Sequence, residues 1–286
     1  MTRYVEIDDV RVALAEPVEL PTDPFVGRAD ELRMCRVAWG ISGDGTSLVD
    51  GNVLPLNFRL EGPPGLGKNE IVYEIARRLD MPLYIVQGHE ELTPEDLALL
   101  LTPDPEAMYG EVPPLTLRAS PLATALYEGG LCFFDEINRV PDRALSPLAS
   151  VLDVRRYVYS AMTGINVRPR DDEAKKRFRF CCALNPSLSN AGHVLPEYIE
   201  QRTLPVIEIN HPPFEDVHEI VRTSLKPSPE FLAAFTDWYH QQERQDISVR
   251  QAVALMNYAM NYEQHVGGQK TNVFDHVAQF IVGRRS

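Results

Sequence analysis

Apolar residues along the chain predict strands that alternate with helices, followed by a stretch of helices alone. Short β-prone runs and segments of helical spacing alternate from Val53 to Asn210, which indicates a parallel sheet with crossover helices. The Pro212-Pro213 pair marks a boundary, and beyond it the spacing is helical. Helices are predicted there over roughly 214–225, 229–241, 248–262 and 272–282. We therefore predict an α/β domain over residues 1–211 and an all-helical domain over residues 212–286.

A glycine-rich octet, Gly-Pro-Pro-Gly-Leu-Gly-Lys-Asn, occupies residues 62–69 between a predicted strand over 53–60 and a predicted helix over 70–79. In a phosphate-binding loop the glycines allow a tight turn, the backbone N–H groups face the phosphates, and Lys68 reaches the β and γ oxygens. An ordinary turn is the alternative, but the order of strand, loop and helix favours nucleotide binding. The residues predicted to bind ATP here are Pro63, Pro64, Gly65, Leu66, Gly67, Lys68, Asn69 and Glu70.

The last position of the octet is Asn69, where the phosphate-loop pattern has serine or threonine. The hydroxyl of those residues ligates magnesium. An amide oxygen is also a hard ligand that suits this ion, but the longer side chain would shift the metal or require an intervening water. We predict that Asn69 is a magnesium ligand. The alternative is a protein that binds ATP and hydrolyses it weakly because of this residue.

A second apolar strand, over residues 131–134, ends in two adjacent acids, Asp135 and Glu136. Taken alone, such a pair could equally be a solvated turn. Downstream of a phosphate loop, however, it predicts hydrolysis: Asp135 reaches the magnesium shell, and Glu136 deprotonates the water that attacks the γ-phosphate. Alternation along the strand would send the two carboxylates in different directions.

With both motifs placed, the chain resembles the AAA+ ATPases, and within them the MoxR branch, across nearly its whole length. Residues 135–141, Asp-Glu-Ile-Asn-Arg-Val-Pro, closely follow the DEINR signature of that branch. Val26 and Gly27, followed by Arg28 and an amphipathic helix, look like the adenine-side segment of the family. The resemblance implies an AAA+ P-loop fold, with a parallel sheet flanked by helices and a small C-terminal all-helical lid.

Three later residues occupy positions to which the family gives catalytic roles. Asn185 looks like sensor 1, Arg202 resembles the arginine finger that reaches a neighbouring subunit, and Arg250 looks like sensor 2. Taken singly, Asn185 could be a turn residue and the two arginines surface ion-pair partners. Their order after the two stronger motifs favours the catalytic roles. Weaker candidates for a second contact between subunits are Arg139, Arg155 and Arg156.

Two segments look like the β-hairpin insertions of this branch, near residues 103–118 and 156–177. In the first, Met108 and Tyr109 could grip a client protein or simply pack under the loop. The second holds a basic cluster that could contact nucleic acid, but neighbouring acids favour a solvated hairpin. The cluster consists of Arg168, Arg170, Lys175, Lys176 and Arg177, and the acids are Asp171, Asp172 and Glu173.

Composition and charge limit the ligands, metals and cellular location that can be expected for the chain. A formal net charge of −13 makes nucleic-acid binding unlikely for the chain as a whole, because phosphate backbones attract clustered lysine and arginine. The four cysteines show no C-x-x-C spacing, which predicts buried, reduced thiols. The histidines lack ligand spacing, so magnesium is the one metal expected. Without a membrane-length apolar stretch or a signal-like N-terminus, the protein is expected to be cytoplasmic.

The resemblance implies a magnesium-dependent ATPase that forms a homo-oligomeric ring, expected to be a hexamer, because Arg202 would complete only a neighbour's site. Such a ring would remodel or activate a partner protein in a chaperone-like manner. In this branch the partner typically contains a von Willebrand factor A domain. Two alternatives stay open: a nucleic-acid motor or loader, and an ATP-binding scaffold that hydrolyses weakly because of Asn69.

Overall fold

The computed structural model describes residues 2–42, 54–104, 115–186, 193–242, 247–266 and 273–282. The chain forms two compact units. The first comprises Met1–Leu20, Asp30–Glu61 and Ile71–Glu208, and the second comprises Pro21–Ala29, Gly62–Glu70 and Ile209–Ser286. Met108 and Tyr109 lie outside the described residues.

The described strands are β1 (Tyr4–Ile7), β2 (Val10–Ala13), β3 (Phe58–Glu61), β4 (Leu83–Gln87), β5 (Leu99–Pro103), β6 (Leu115–Ala119), β7 (Leu131–Asp135), β8 (Val158–Tyr159), β9 (Asn166–Val167), β10 (Arg179–Leu184) and β11 (Val206–Glu208). The described helices are α1 (Ala29–Ala38), α2 (Lys68–Arg78), α3 (Pro121–Glu128), α4 (Leu148–Val151), α5 (Asp172–Arg177), α6 (Glu197–Glu200), α7 (Phe214–Leu225), α8 (Pro229–His240), α9 (Val249–Val266) and α10 (Val273–Ile281).

A five-stranded sheet in the order β11-β3-β10-β7-β4 forms the centre of the first unit. All its described pairs are parallel, which confirms the predicted sheet. In β7 the four residues Leu131 to Phe134 are fully buried, as expected for a strand covered on both faces. Because the strands are parallel, the carboxyl ends of β3, β4, β7 and β10 lie at one edge of the sheet.

The strand before the phosphate loop is shorter than predicted. The apolar run 53–60 suggests a strand along its length, whereas β3 begins only at Phe58. Pro55 lacks a backbone N–H and cannot pair within a central strand. Asn57 is buried and donates through Nδ2 to the carbonyl oxygens of Leu152 and Arg202, both at 3.1 Å. These contacts hold the approach to β3 in a non-strand conformation.

A second sheet of the first unit, in the order β1-β2-β6-β5, was not predicted. The proposed insertion near 103–118 begins at the last residue of β5 and includes most of β6, and these two strands pair antiparallel. Strand β2 pairs in parallel with β6, with Val12 opposite Leu117. The second proposed insertion contains the short hairpin of β8 and β9, and its later basic residues lie on helix α5.

The second unit contains the four helices predicted from apolar spacing, and their observed bounds are those of α7 to α10. They share a core that includes Phe231, Phe235, Trp238 and Phe274. Ser228 caps α8, since its side chain accepts a hydrogen bond from the backbone N–H of Phe231. Of the helices in the described ranges, none combines the length and apolarity that a membrane span requires.

All four cysteines are free and buried, which confirms the prediction of reduced thiols. Three lie in sheet strands, Cys132 in β7 and Cys181 and Cys182 in β10. Burial raises the pKa of the Cys35 and Cys182 thiols to about 12, so both stay protonated at neutral pH.

A charged network ties the N-terminal strand region to the end of α3. The guanidinium of Arg3 donates two hydrogen bonds to the Glu128 carboxylate, at 2.6 and 3.0 Å, and the Tyr84 hydroxyl donates a third at 2.6 Å. Burial opposes ionisation of Glu128, but the hydrogen bonds from Arg3 and Tyr84 outweigh it and lower the pKa of this carboxyl. The network therefore needs the ionised carboxylate.

We expect Glu128→Gln to lower the free energy of unfolding at pH 7 by about 1–3 kcal/mol, because Arg3 and Tyr84 lose a charged acceptor. Since the folded-state pKa of Glu128 is lowered, its contribution is present above the unfolded pKa of about 4.3 and is lost as the pH falls through the lower, folded-state value. Urea unfolding at pH 7 and pH 3 measures this, with the exposed Glu90→Gln as control. A difference between wild type and Glu128→Gln that does not shrink at pH 3 would contradict the assignment.

Candidate nucleotide site

The octet 62–69 adopts the backbone of a phosphate-binding loop. Gly65 and Gly67 have φ angles of 79° and 87°, in the left-handed region that favours glycine. Gly62 is required for a different reason: a Cβ there would lie 2.2 Å from the carbonyl oxygen of Ile209. The loop leads directly into α2, which begins at Lys68. Backbone N–H groups at the start of such a helix have no intrahelical acceptor and can bind phosphate oxygens.

Lys68 is folded onto its own loop. Its Nζ donates to the carbonyl oxygens of Gly62 and Pro63, at 2.6 and 3.0 Å, and the residue is 7% exposed. The side chain is thus already held at the loop. To reach a β- or γ-phosphate, Nζ would exchange these two carbonyl contacts for phosphate oxygens. Asn69 follows as the second residue of α2.

The start of α9 packs against the loop within the second unit. The backbone N–H of Arg250 donates to the carbonyl oxygen of Gly65 at 3.2 Å. A Cβ on Gly65 would lie 3.0 Å from Oγ of Ser248. Ser248 and Gln251 form a capping box, because Ser248 Oγ accepts from the Gln251 N–H while Gln251 Oε1 accepts from the Ser248 N–H. Arg250, the predicted sensor 2 residue, therefore sits in the first turn of a capped helix beside the loop.

Arg28 is a loop contact that the sequence did not reveal. One guanidinium nitrogen donates to the carbonyl oxygens of Leu66, at 3.0 Å, and Asn210, at 2.8 Å. The preceding residue, Gly27, has a φ of 71°, and a Cβ there would lie 2.1 Å from a carboxylate oxygen of Asp216. The segment predicted to lie on the adenine side, Val26 and Gly27, is thus followed by a residue that anchors the phosphate loop.

The acid pair lies at the carboxyl end of β7 in the first unit. Strand β7 ends at Asp135, and Glu136 adopts a left-handed conformation with φ 52° and ψ 42°. This turn, rather than strand alternation, sets the direction of Glu136. Gln87 lies opposite Asp135 in the β4–β7 register. The next residue is Gly88, where a Cβ would lie 2.3 Å from the carbonyl oxygen of Glu136.

Three donors converge on the Glu136 carboxylate. Oε2 accepts from Gln87 Nε2 at 3.1 Å and pairs with Arg139 Nε at 3.2 Å. Oε1 lies 3.5 Å from Nδ2 of Asn185, which is 6% exposed. The structure therefore brings together Glu136 and the predicted sensor 1 residue. Arg139, a weaker candidate for a contact between subunits, contacts Glu136 in its own chain. Gln87 was not named as a site residue from the sequence, although it is a polar residue that ends an apolar strand.

The other predicted arginines lie elsewhere in the first unit. Arg202 follows α6, is half-buried, and donates to the Tyr198 carbonyl oxygen at 3.0 Å. Its contact with a neighbouring subunit stays a prediction. Arg155 is exposed and pairs with Asp153 through Nε and a second guanidinium nitrogen, at 2.9 and 2.7 Å. Arg156 is 2% exposed, which removes it from the candidates for a contact between subunits.

The chemistry of these residues fits a nucleoside triphosphate and magnesium. The loop offers left-handed glycines and a lysine at a helix start, which suit a polyphosphate. Asp135 and Asn69 offer carboxylate and amide oxygens, the hard donors that magnesium takes in proteins. Glu136 is a carboxylate held by directed donors beside Asp135, as a general base requires. A P-loop nucleotide-binding protein is the class that the fold and these residues define.

A family model for the AAA domain of the dynein-related subfamily matches residues 57–203, and the chain belongs to this family. The curated relatives include the denitrification regulatory protein NirQ of Pseudomonas aeruginosa, 30% identical over 50% of this chain and 50% of NirQ. Protein NorQ of Paracoccus denitrificans is 29% identical over 58% of this chain and 57% of NorQ. The matches thus span about half the length of these relatives. They confirm the predicted membership in the MoxR branch of the AAA+ proteins.

A solved structure of a RuvB mutant from Thermotoga maritima has the same fold. The TM-score is 0.59, with 16% sequence identity, over 94% of this chain and 77% of that chain. At this identity the likeness concerns the fold alone. It confirms the predicted α/β P-loop architecture with C-terminal helices.

The packing of Gly65 against α9 can be tested with a pair of alanine substitutions. Gly65→Ala and Gly164→Ala both place a Cβ on left-handed backbone, at φ 79° and 74°, but within 4 Å only the first meets other atoms. Each should cost about 1–2 kcal/mol of stability through the backbone. We expect Gly65→Ala alone to weaken ATP binding, by about tenfold, the equivalent of 1.4 kcal/mol. Titration with a fluorescent ATP analogue measures this, and equal affinities in the two variants would contradict a role for the contact.

Proposed function

We propose that this protein binds ATP with magnesium and hydrolyses it in a homo-oligomeric ring, most simply a hexamer, to remodel or activate a partner protein. The observation that carries the proposal is the surrounding of Glu136. The Glu136 carboxylate follows β7 in left-handed backbone and is contacted by Gln87, Arg139 and Asn185, and these surroundings support a role as the general base. Family membership supports nucleotide binding by the octet 62–69.

The residues would divide the work as follows. Lys68 and the N–H groups of the loop bind the phosphates, with Val26 and Gly27 on the adenine side. Asp135 and Asn69 would hold magnesium, which when bound neutralises charge on the β- and γ-phosphates. Glu136 accepts a proton from the attacking water. Asn185 orients that water and Arg250 contacts the γ-phosphate.

The two oxygens of the Glu136 carboxylate, the proposed general base, differ in their contacts. A hydrogen bond from Gln87 and an ion pair with Arg139 occupy Oε2 of Glu136, so this oxygen must exchange at least one of these contacts before it accepts a proton from water. Among the residues that the structure describes, Oε1 has one long contact, 3.5 Å to Asn185 Nδ2. We therefore assign Oε1 to the attacking water and Oε2 to the two donors that fix the carboxylate. Asn185 can then donate to the same water that Oε1 deprotonates.

Ring formation follows from the role proposed for Arg202. In this proposal the arginine of one subunit stabilises charge on the γ-phosphate bound by the next, a contribution of about 10³ to 10⁵ in rate in related phosphoryl-transfer enzymes. A site completed by a neighbour makes turnover depend on assembly. The work would be done on a protein partner, for which we propose one with a von Willebrand factor A domain, in the cytoplasm.

A second candidate is an ATP-binding scaffold that hydrolyses weakly. It is favoured by Asn69, because a longer amide replaces the hydroxyl expected in the first turn of α2. The same ring and the same nucleotide contacts would then serve a switch driven by ATP binding. The two candidates differ in the rate of turnover, and so in the response to changes at Glu136 and Asn69.

We expect Glu136→Gln to lower ATP turnover at least about 100-fold while ATP binding is preserved, because the amide cannot accept the proton. Arg202→Ala should also be inactive. Mixing the two inactive proteins in equal amounts should restore turnover, since about a quarter of the interfaces in a heterologous ring would pair an intact Glu136 with an intact Arg202. Phosphate release from the mixture, compared with each protein alone, measures this.

Two outcomes of this experiment would count against the proposal in different ways. Equal turnover in wild type and Glu136→Gln would remove Glu136 as the base. An inactive mixture, with both variants still binding ATP and co-assembling, would remove Arg202 as a residue that acts on a neighbour. Lys176→Ala, an exposed change on α5, serves as the control and should leave turnover unchanged.

Asn69→Thr tests whether the amide at this position serves as the magnesium ligand and limits turnover. A threonine hydroxyl restores the usual magnesium ligand, so turnover should be maintained or raised, and the magnesium concentration needed for half-maximal turnover should not increase. The measurement is a magnesium titration of ATP turnover in both proteins. A large loss of activity would show that the amide has a role that a hydroxyl cannot fill.

A further inference from the structure

A basic cavity lies in the first unit, near the β8–β9 hairpin and α5. Its volume is about 470 Å³, within the range of small-ligand sites. Four cationic side chains and two carboxylates are among the lining groups. They are Arg155, Arg156, Arg168 and Lys175, with Asp171 and Asp172. None of these residues takes part in the nucleotide site described above.

Arg156 is an unusual residue to find in the wall of this cavity. It is 2% exposed, and its backbone is left-handed at φ 48°, a conformation that is strained for arginine. Its two terminal guanidinium nitrogens donate to the carbonyl oxygens of Val151, at 2.9 Å, and Pro55, at 3.4 Å, and one of them also donates to Asn57 Oδ1 at 3.4 Å. Its Nε has no partner among the described residues. Its charge faces the Phe178 ring at 5.1 Å rather than a paired carboxylate.

Arg156 forms no ion pair within the described part of the chain, and a buried guanidinium is costly when desolvation is not offset by such a pair. Burial, together with the nearby charge of Arg179, lowers the pKa of Arg156 to about 10, although the negative charge of Asp153 acts in the opposite direction. The side chain nevertheless stays protonated at neutral pH. An anion bound in the cavity would provide a negative charge to balance the guanidinium of Arg156.

The carboxylates around the cavity do not provide this negative charge for Arg156. Arg155 is already paired with Asp153, and Asp171 with Arg170 at 3.2 Å. The Asp171 side chain also caps α5. The lining then holds Arg156, Arg168 and Lys175 together with the carboxylate of Asp172. The cavity therefore keeps a positive surplus within a chain whose formal net charge is −13.

We propose that this cavity binds a small phosphate-bearing anion, at a site distinct from the phosphate loop. Arginine presents planar donors that match phosphate oxygens, and a lysine adds a point charge, so Arg168 and Lys175 would hold the anion above Arg156. The volume accommodates either a free phosphate or a phosphate monoester with an organic group. Both sources share the same dianionic head.

The test uses the whole 286-residue chain carrying Lys68→Ala, so that the phosphate loop contributes little to binding. Calorimetric titration with inorganic phosphate, pyrophosphate and AMP should give saturable binding with a Kd below about 1 mM for at least one of them. Adding Arg168→Ala and Lys175→Ala should weaken this binding about tenfold or more, since two charge-assisted contacts are lost. Adding Lys176→Ala instead, the neighbouring residue of α5 that does not line the cavity, should change nothing.

The same ligand should raise the melting temperature of the parent protein and have little effect on the variant lacking Arg168 and Lys175, because binding to the folded state stabilises it. Tighter binding of AMP than of phosphate would identify a monoester as the ligand, and equal affinity would identify the phosphate head alone. Binding that does not saturate by about 10 mM, or an affinity unchanged by the two substitutions, would overturn the proposal. Because binding is attributed through Arg168 and Lys175, the result does not depend on the proposed ATPase activity.

Discussion

The left-handed turn at Glu136 is the constraint on which the arrangement of side chains at the carboxyl edge of the sheet depends. An extended residue after Asp135 would continue β7, and its side chain would follow the alternation of the strand. The observed turn costs roughly 1–2 kcal/mol for a residue other than glycine. Gly88 gives the Glu136 carbonyl room, and Gln87, opposite Asp135, reaches the carboxylate. The strained backbone at Glu136 therefore has a structural effect: it directs the carboxylate of this residue toward Asn185.

Much of the fold could be predicted because its signals are local. Helices α7 to α10 lie close to the predicted ranges, since apolar spacing defines them within the segment itself, and α7, α8 and α9 also have a proline or a cap near their starts. The sheet formed by β1, β2, β5 and β6 could not be predicted. Its β2–β6 pairing joins residues about a hundred positions apart, and short strands such as Val10–Ala13 have no distinctive pattern of their own.

The candidate site also combines residues that could be predicted from local sequence patterns with residues that could not. The glycine loop, the acid pair and Asn185 follow patterns of residue type and spacing, so the sequence was sufficient to name them. Gln87 could have been found by the same argument as Asn185, because both follow apolar segments of the sheet. The contacts of Arg28 with Leu66 and Asn210 had no signal in the sequence. They depend on how a left-handed residue directs one guanidinium toward two carbonyl oxygens that are distant along the chain.

We propose that the loop 62–69 and Glu136 act on one bound triphosphate. The most direct test is an experimental structure of the full chain with magnesium and a non-hydrolysable ATP analogue. The account predicts that Nζ of Lys68 leaves the carbonyl oxygens of Gly62 and Pro63 for the phosphates, and that Glu136 contacts a water in line with the γ-phosphate. A triphosphate bound away from the loop, or an attacking water positioned by a residue other than Glu136, would contradict it.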